Sequence, residues 1–280
     1  MHSAAAVIAA YGSAPAAAKA MVACRMSHVW LRVHGRRVSY GTDRATRDLR
    51  DACRRAGLNI AGWGWCQGDD PFAEAELAVR SMRELELNDY VADIEEGVNA
   101  SHWTQLEIRS FLGEIREKLS GGLALSSFGL ITWHSPELIK AAEPHVDVFV
   151  PRIYWYDFPS EKMRLQFGHK YRTDDPASFA DLCMNRWVKT MLKPLVMTGQ
   201  AFWEEGFEQS AAEQKMARFI ESFRGWSHLI GFNWWSLDTM SEAMRETLAE
   251  ARVDRKEFSK KGLSFAPLQS YDPRVSTSYE

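Results

Sequence analysis

Strand-like and helix-like runs alternate along nearly all of this 280-residue chain, and that alternation limits the fold more than any other feature. Apolar, strand-like runs stand at 28–35 (HVWLRVHG), 58–66, 89–96, 123–129, 146–157, 193–203 and 228–238. Charged helical runs follow them at 43–56, 70–86, 101–119, 135–143, 176–191, 209–224 and 239–251. Parallel strands need a crossover, usually a helix, so strict alternation predicts a parallel sheet covered by helices. Pro71 suits a first helical turn, Ser101 can cap the third helix, and Gly121-Gly122 can stop it. The expected fold is α/β, a (β/α)8 TIM-like barrel with seven clear strands, irregular or with an eighth strand inside 158–175. A chain of this length suits one barrel of about 250 residues. The barrel domain is read as 1–251, and the aperiodic, polar stretch 252–280 as a peripheral tail. A doubly wound open sheet is the alternative, but VHGRRVSYG after the first strand is not the G-x-G-x-x-G turn such folds use.

Composition narrows the partners. Net charge is -3 with scattered basic residues, so no phosphate-backbone footprint is present and nucleic acid is not expected. No stretch reaches the roughly 20 apolar residues of a membrane-spanning helix. The alanine-rich N-terminus lacks a basic n-region and is read as an amphipathic helix at 14–26 rather than a signal peptide. That reading implies a cytoplasmic protein, or a phage-encoded one released to the cell wall. Cys24, Cys53, Cys66 and Cys183 lie far apart without a CxxC pair, which predicts reduced, buried thiols. Eleven tryptophans are many for this length, and several sit near strand ends, where flat rings can stack on sugars.

The run NDYVADIEEGVN at 88–99 places Asp93 and Glu95 on a strand. Residues two apart share a strand face, so Val91, Asp93 and Glu95 point one way, with Ala92 and Ile94 opposite. The apolar set suits the helices, which turns the acids into the barrel, near the C-terminal ends where barrel sites are built. The same parity puts Trp30, Arg32 and His34 of the first strand inside. It pairs Trp63 with Trp65, Arg152 with Tyr154, Thr198 with Gln200, and Asn233 with Trp235. Asp157 and Asp238 follow their strands in loops, as do Asp69, Asp70, Glu204 and Glu205, while Glu96 faces away as a loop acid. Two carboxyls at one mouth are the equipment of glycoside hydrolysis: one protonates the leaving oxygen, the other serves as base, nucleophile or charge stabiliser. Burial and the neighbouring Asp93 are expected to raise the pKa of Glu95, as suits a general acid. A structural acid cluster bridged to Arg32 or Arg152 is the competing reading.

DIE at the end of a barrel strand resembles the D-x-E of family-25 lysozymes and the last part of the D-x-x-D-x-D-x-E strand of family-18 chitinases. RIYWYD resembles the chitinase strand with a Tyr-Asp pair, and GFNWWSLD its closing tryptophan strand. The pieces, in order over about 20–250, look like glycoside-hydrolase-like barrels of bacteria and phages. The resemblance implies Glu95 as proton donor, Asp93 as its partner, Tyr154 and Asp157 on the sugar, and Trp235 as the pocket floor. Val91 stands where the chitinase strand has an earlier acid, and Arg32 and His34 where the lysozymes carry an aspartate.

The expected function is carboxylate-catalysed hydrolysis of a β-linked, N-acetylated polysaccharide, with peptidoglycan ahead of a chitin-like glycan. Glu95 and Asp93 would be catalytic. Arg32, His34, Trp63, Trp65, Arg152, Tyr154, Asp157, Gln200, Trp235 and Asp238 would bind the sugar, and no cofactor is required. A sugar-binding barrel without turnover is one alternative. A metal-dependent hydrolase using His34 with the two acids is another.

Overall fold

Helix boundaries follow local capping chemistry. Asp43 accepts from the Thr46 N–H at 2.9 Å and opens one helix; Asp70, followed by Pro71, accepts from Ala73 N–H at 3.1 Å and opens the next. Thr104 and Glu107 form a reciprocal capping box, so the third helix starts there and not at Ser101. The computed structural model describes residues 3–97, 101–133, 135–155, 175–202, 209–222 and 229–251. Asp157, most of 158–175, Glu204, Glu205 and the tail 252–280 lie outside the described residues.

The strands are β1 His28–His34, β2 Asn59–Cys66, β3 Tyr90–Ile94, β4 Leu123–Phe128, β5 Val148–Ile153, β6 Leu195–Gln200 and β7 Leu229–Trp235. The helices are α1 Ala4–Tyr11, α2 Ala14–Ala23, α3 Arg44–Arg55, α4 Pro71–Glu84, α5 Gln105–Lys118, α6 Pro136–Lys140, α7 Pro176–Thr190, α8 Gln209–Glu221 and α9 Glu242–Glu250. The seven strands are parallel and hydrogen-bonded in chain order, β1 through β7. The sheet curls as a barrel does, but among the described residues β1 and β7 remain its two edges rather than closing on each other. Among the described residues the sheet is therefore a seven-stranded half-barrel, consistent with the expected TIM-like barrel but not closed, and the candidate eighth strand at 158–175 lies almost wholly outside them.

Side-chain parity sorts the core into two. The outer face of the sheet packs on the helices through Leu31, Val33, Tyr90, Ala92, Leu125, Phe149 and Met197. The inner face gathers Ala61, Trp63, Val91, Ala124, Val148, Val150, Val196 and Ile230, flanked by Trp30, Trp65 and Trp235. Trp63 of β2 meets Trp235 of β7 edge to face at 5.0 Å, so the curl brings distant strands together across the interior.

Two helices precede β1 where the alanine-rich stretch predicts one. Together they bridge the open side: α2 packs on α3 and touches α9. The Tyr11 hydroxyl donates to the Leu237 carbonyl at 3.2 Å, and Arg245 lies over the Tyr11 ring at 5.1 Å. Among the described residues no single helix is long and apolar enough to cross a membrane.

Both edge strands carry a register irregularity. On β1 it falls between Arg32 and His34, where two residues answer a single step of β2. On β7 Leu229 and Gly231 answer the consecutive residues Leu195 and Val196. The first bulge turns His34 outward, against Gly64 and Tyr90, and corrects the expectation that it shares the interior with Arg32. Gly64 is required there, because a Cβ would run into the His34 ring. Gly64→Ala is expected to destabilise the fold by about 1–3 kcal/mol through overpacking; a urea melt with an unchanged midpoint would refute this.

Candidate active site at the barrel mouth

β3 delivers Asp93 and its C-terminal extension delivers Glu95, both toward the mouth. β5 brings Arg152 to meet them. Its Nη1 lies 3.4 Å from Asp93 Oδ2 and pairs directly with Glu95 Oε1. The side chains of Asp93, Glu95 and Arg152 keep 10%, 13% and 14% of their surface exposed, so the cluster, partly compensated by one guanidinium, is not sealed from solvent. Arg152 also lies over the rings of Phe128 and Tyr154, each at 5.8 Å, which fixes the plane of its guanidinium.

The other expected residues divide. Arg32, opposite Trp63 in register, stacks over the Trp63 and Tyr40 rings at 5.4 and 5.7 Å. Trp65 pairs with Asp93, and Ser126 flanks Asp93 from β4. Tyr154 stands edge-on to Phe202, and Gln200 donates to the Phe202 carbonyl at 3.3 Å, beside Trp235 in register. These share the inward face with the acids. His34 does not: its Nδ1–H donates to the Gly35 carbonyl, which can only accept, so its Nε2 accepts from the Tyr90 hydroxyl at 2.6 Å. With His34 on the far side of the sheet, it cannot join Asp93 and Glu95 around a metal. Among the described residues no group of three His, Cys, Asp or Glu side chains could hold one. Burial raises the Tyr11 phenol pKa and Arg245 opposes the rise, while Cys24 and, least of all, Asp238 add to it, which puts Asp238 within electrostatic reach of the N-terminal helices. Cys66 is buried against Tyr90, and burial pushes its thiol well up, the opposite of an activated nucleophile.

Four buried polar atoms on inward positions have no hydrogen-bond partner among the described residues: Trp63 Nε1, Asp93 Oδ1, Arg152 Nε and Thr198 Oγ1. Two donors, an acceptor and a hydroxyl facing one interior can serve a ligand rich in hydroxyl groups. Sequence reasoning missed Glu74, a buried carboxylate that accepts from the Gln67 and Gly68 N–H groups at 2.9 and 3.1 Å and holds the loop after β2. A glutamate in the first turn after Asp70-Pro71 was its signal. Glu96, read as an exposed loop acid, accepts from Trp103 N–H at 2.6 Å and braces the loop after β3.

No family model and no curated protein matches the chain. The structure is similar to that of an agarase, AgWH50C, with a TM-score of 0.49 and 14% sequence identity over 88% of this chain. The match covers 49% of the agarase, so the chain spans about half its length.

Desolvation raises the Asp93 carboxyl to about 7; Arg152 opposes the rise and Glu95 adds to it. Desolvation lowers His34 to about 4. These act oppositely on stability. Between pH 3.8 and about 7 the folded protein holds the Asp93 proton more tightly than the unfolded chain, so this term falls as pH rises. Between about 4 and 6.5 the folded protein holds fewer protons at His34, so that term rises with pH. They offset each other over the shared window. Asp93→Asn removes one, and its melting temperature is expected to drop on acidification from pH 6.5 to 4 more steeply than that of wild type. Superimposable profiles from calorimetry would contradict the pairing.

Proposed function

We propose that the chain is a glycosidase acting on a polysaccharide at the mouth of the half-barrel. The observation that carries this reading is the inward cluster of Asp93, Glu95 and Arg152 among unpartnered polar atoms and indole rings. A β-linked, N-acetylated glycan remains the substrate, with peptidoglycan first, because it follows from the D-x-E and tryptophan-strand resemblances. We read the two acids in roles exchanged from those expected from sequence. Asp93, desolvated and raised to about 7, is the carboxyl that keeps a proton near neutrality and suits the general acid. Glu95, with the Arg152 guanidinium against it, suits the partner that acts as base or nucleophile. Trp65 and Trp235, which are half-buried, supply ring faces for the sugar, with Trp63 packed beneath them and Arg32 supplying donors beside them.

Arg152 also favours a second reading. A guanidinium engaged with both acids is the arrangement of a structural ion cluster, and a barrel so built would hold glycan without cutting it. Reducing-end release from purified cell walls separates the two. Hydrolysis is expected, declining as pH rises through about 7, with Glu95→Gln and Asp93→Asn each slower by about 10²–10⁴-fold. Retention of glycan by wild type with no new reducing ends would establish the binding-only reading.

A further inference from the structure

Both acids make their closest approach to the same nitrogen of Arg152, and the approaches are unequal. Glu95 pairs directly with Nη1, whereas Asp93 stands 3.4 Å from it. At the other end of the guanidinium, Nε is buried and has no hydrogen-bond partner among the described residues. No hydrogen bond at Nε therefore holds the cation between the acids, and the pull of the closer carboxylate favours Glu95. The remaining restraint is aromatic. Phe128 lies opposite Arg152 in register on β4, Tyr154 follows it on β5, and the guanidinium carbon sits 5.8 Å from each ring centre.

The backbone on either side of Phe128 is pinned to the strands that carry the cluster. Before it, the Ser127 hydroxyl donates to the carbonyl of Ile94, the residue between the two acids, at 2.8 Å. After it, the Gly129 carbonyl accepts from the buried Trp187 indole of α7 at 2.8 Å. A Cβ on Gly129 would run into the Arg152 carbonyl, so β4 and β5 approach closely just where the ring and the guanidinium meet. Phe128 is thus fixed by its neighbours, while Arg152 depends on Phe128.

We propose that Phe128 is a positioning residue of the acid pair: its ring, with that of Tyr154, keeps the Arg152 guanidinium shared between the two carboxyls instead of drawn wholly to Glu95. Its consequence for turnover rests on the glycosidase reading above. Asp93 faces Arg152 of β5, Glu95 beyond its own strand and Arg32 of β1, with the Ser126 hydroxyl of β4 beside it. Cys66 of β2 and Tyr90 also act on it, and burial keeps both neutral. Desolvation raises the Asp93 carboxyl and Arg152 is the largest influence opposing that rise, so a guanidinium drawn off toward Glu95 lets it rise further.

The test is a pH titration of the Asp93 carboxyl by carbon NMR of the full chain, with the signal assigned by its loss in Asp93→Asn. Phe128→Leu, which removes the ring and keeps most of the volume, is expected to raise the midpoint by at least about half a pH unit, roughly threefold tighter proton binding. Phe128→Tyr, which keeps the ring, should titrate as wild type does. The pH at which reducing-end release declines should move upward with the NMR midpoint. Lost packing alone would lower the melting temperature without moving the midpoint, and water admitted to a gap would move it down; Phe128→Met serves if Phe128→Leu does not fold. An unchanged or lowered midpoint in the ring-less variant, or the same shift in Phe128→Tyr, would overturn the proposal. The NMR readout needs no turnover. A raised midpoint without any release of reducing ends would remove the hydrolytic reading and keep the positioning role, and release with an unmoved midpoint would do the reverse.

Discussion

The guanidinium of Arg152 is what allows two carboxylates to occupy the inside of a curled sheet. Unpaired buried charges are costly, and the inner face is otherwise small aliphatic side chains and indole rings. Arg152 answers Asp93 and Glu95 with one nitrogen and is itself held over Phe128 and Tyr154. Strands β3, β4 and β5 thus meet in a single charge-compensated knot at the C-terminal end of the sheet. The same knot holds the two acids differently: desolvation raises the Asp93 carboxyl, while Glu95 pairs directly with the guanidinium.

The periodic parts of the chain were readable. All seven strands lie within four residues of their expected bounds, because alternating apolar runs, proline at helix starts and capping aspartates are local signals. Parity also oriented Trp63, Asp93, Arg152, Thr198 and Trp235, since each sits on a strand whose alternation is regular where it stands. It failed at His34, where one extra residue in β1 moves the side chain to the other face, and neither Val33 nor His34 differs in kind from its neighbours. Closure of the barrel was not readable either, because it depends on whether two distant edges pair.

The N-terminal helices show how the fold manages an open sheet. Among the described residues strand pairing stops at β1 and β7, yet the helical layer continues through α9, α2 and α3, with Tyr11 tied to the turn after β7. The inner and outer faces are therefore both covered although the hydrogen-bonded sheet has ends. The interior is packed across its width by Trp63 against Trp235, so the charged cluster lies above a filled core rather than a channel.

The bulges in β1 and β7 have a further consequence. A half-barrel has two outermost strands, and a straight, regular outermost strand is a template on which another chain's strand can add. An extra residue in each breaks the even spacing of outward N–H and C=O groups and increases the local twist. Sheet ends built this way discourage edge-to-edge aggregation between copies, so leaving the cylinder unclosed need not make the protein prone to fibre formation.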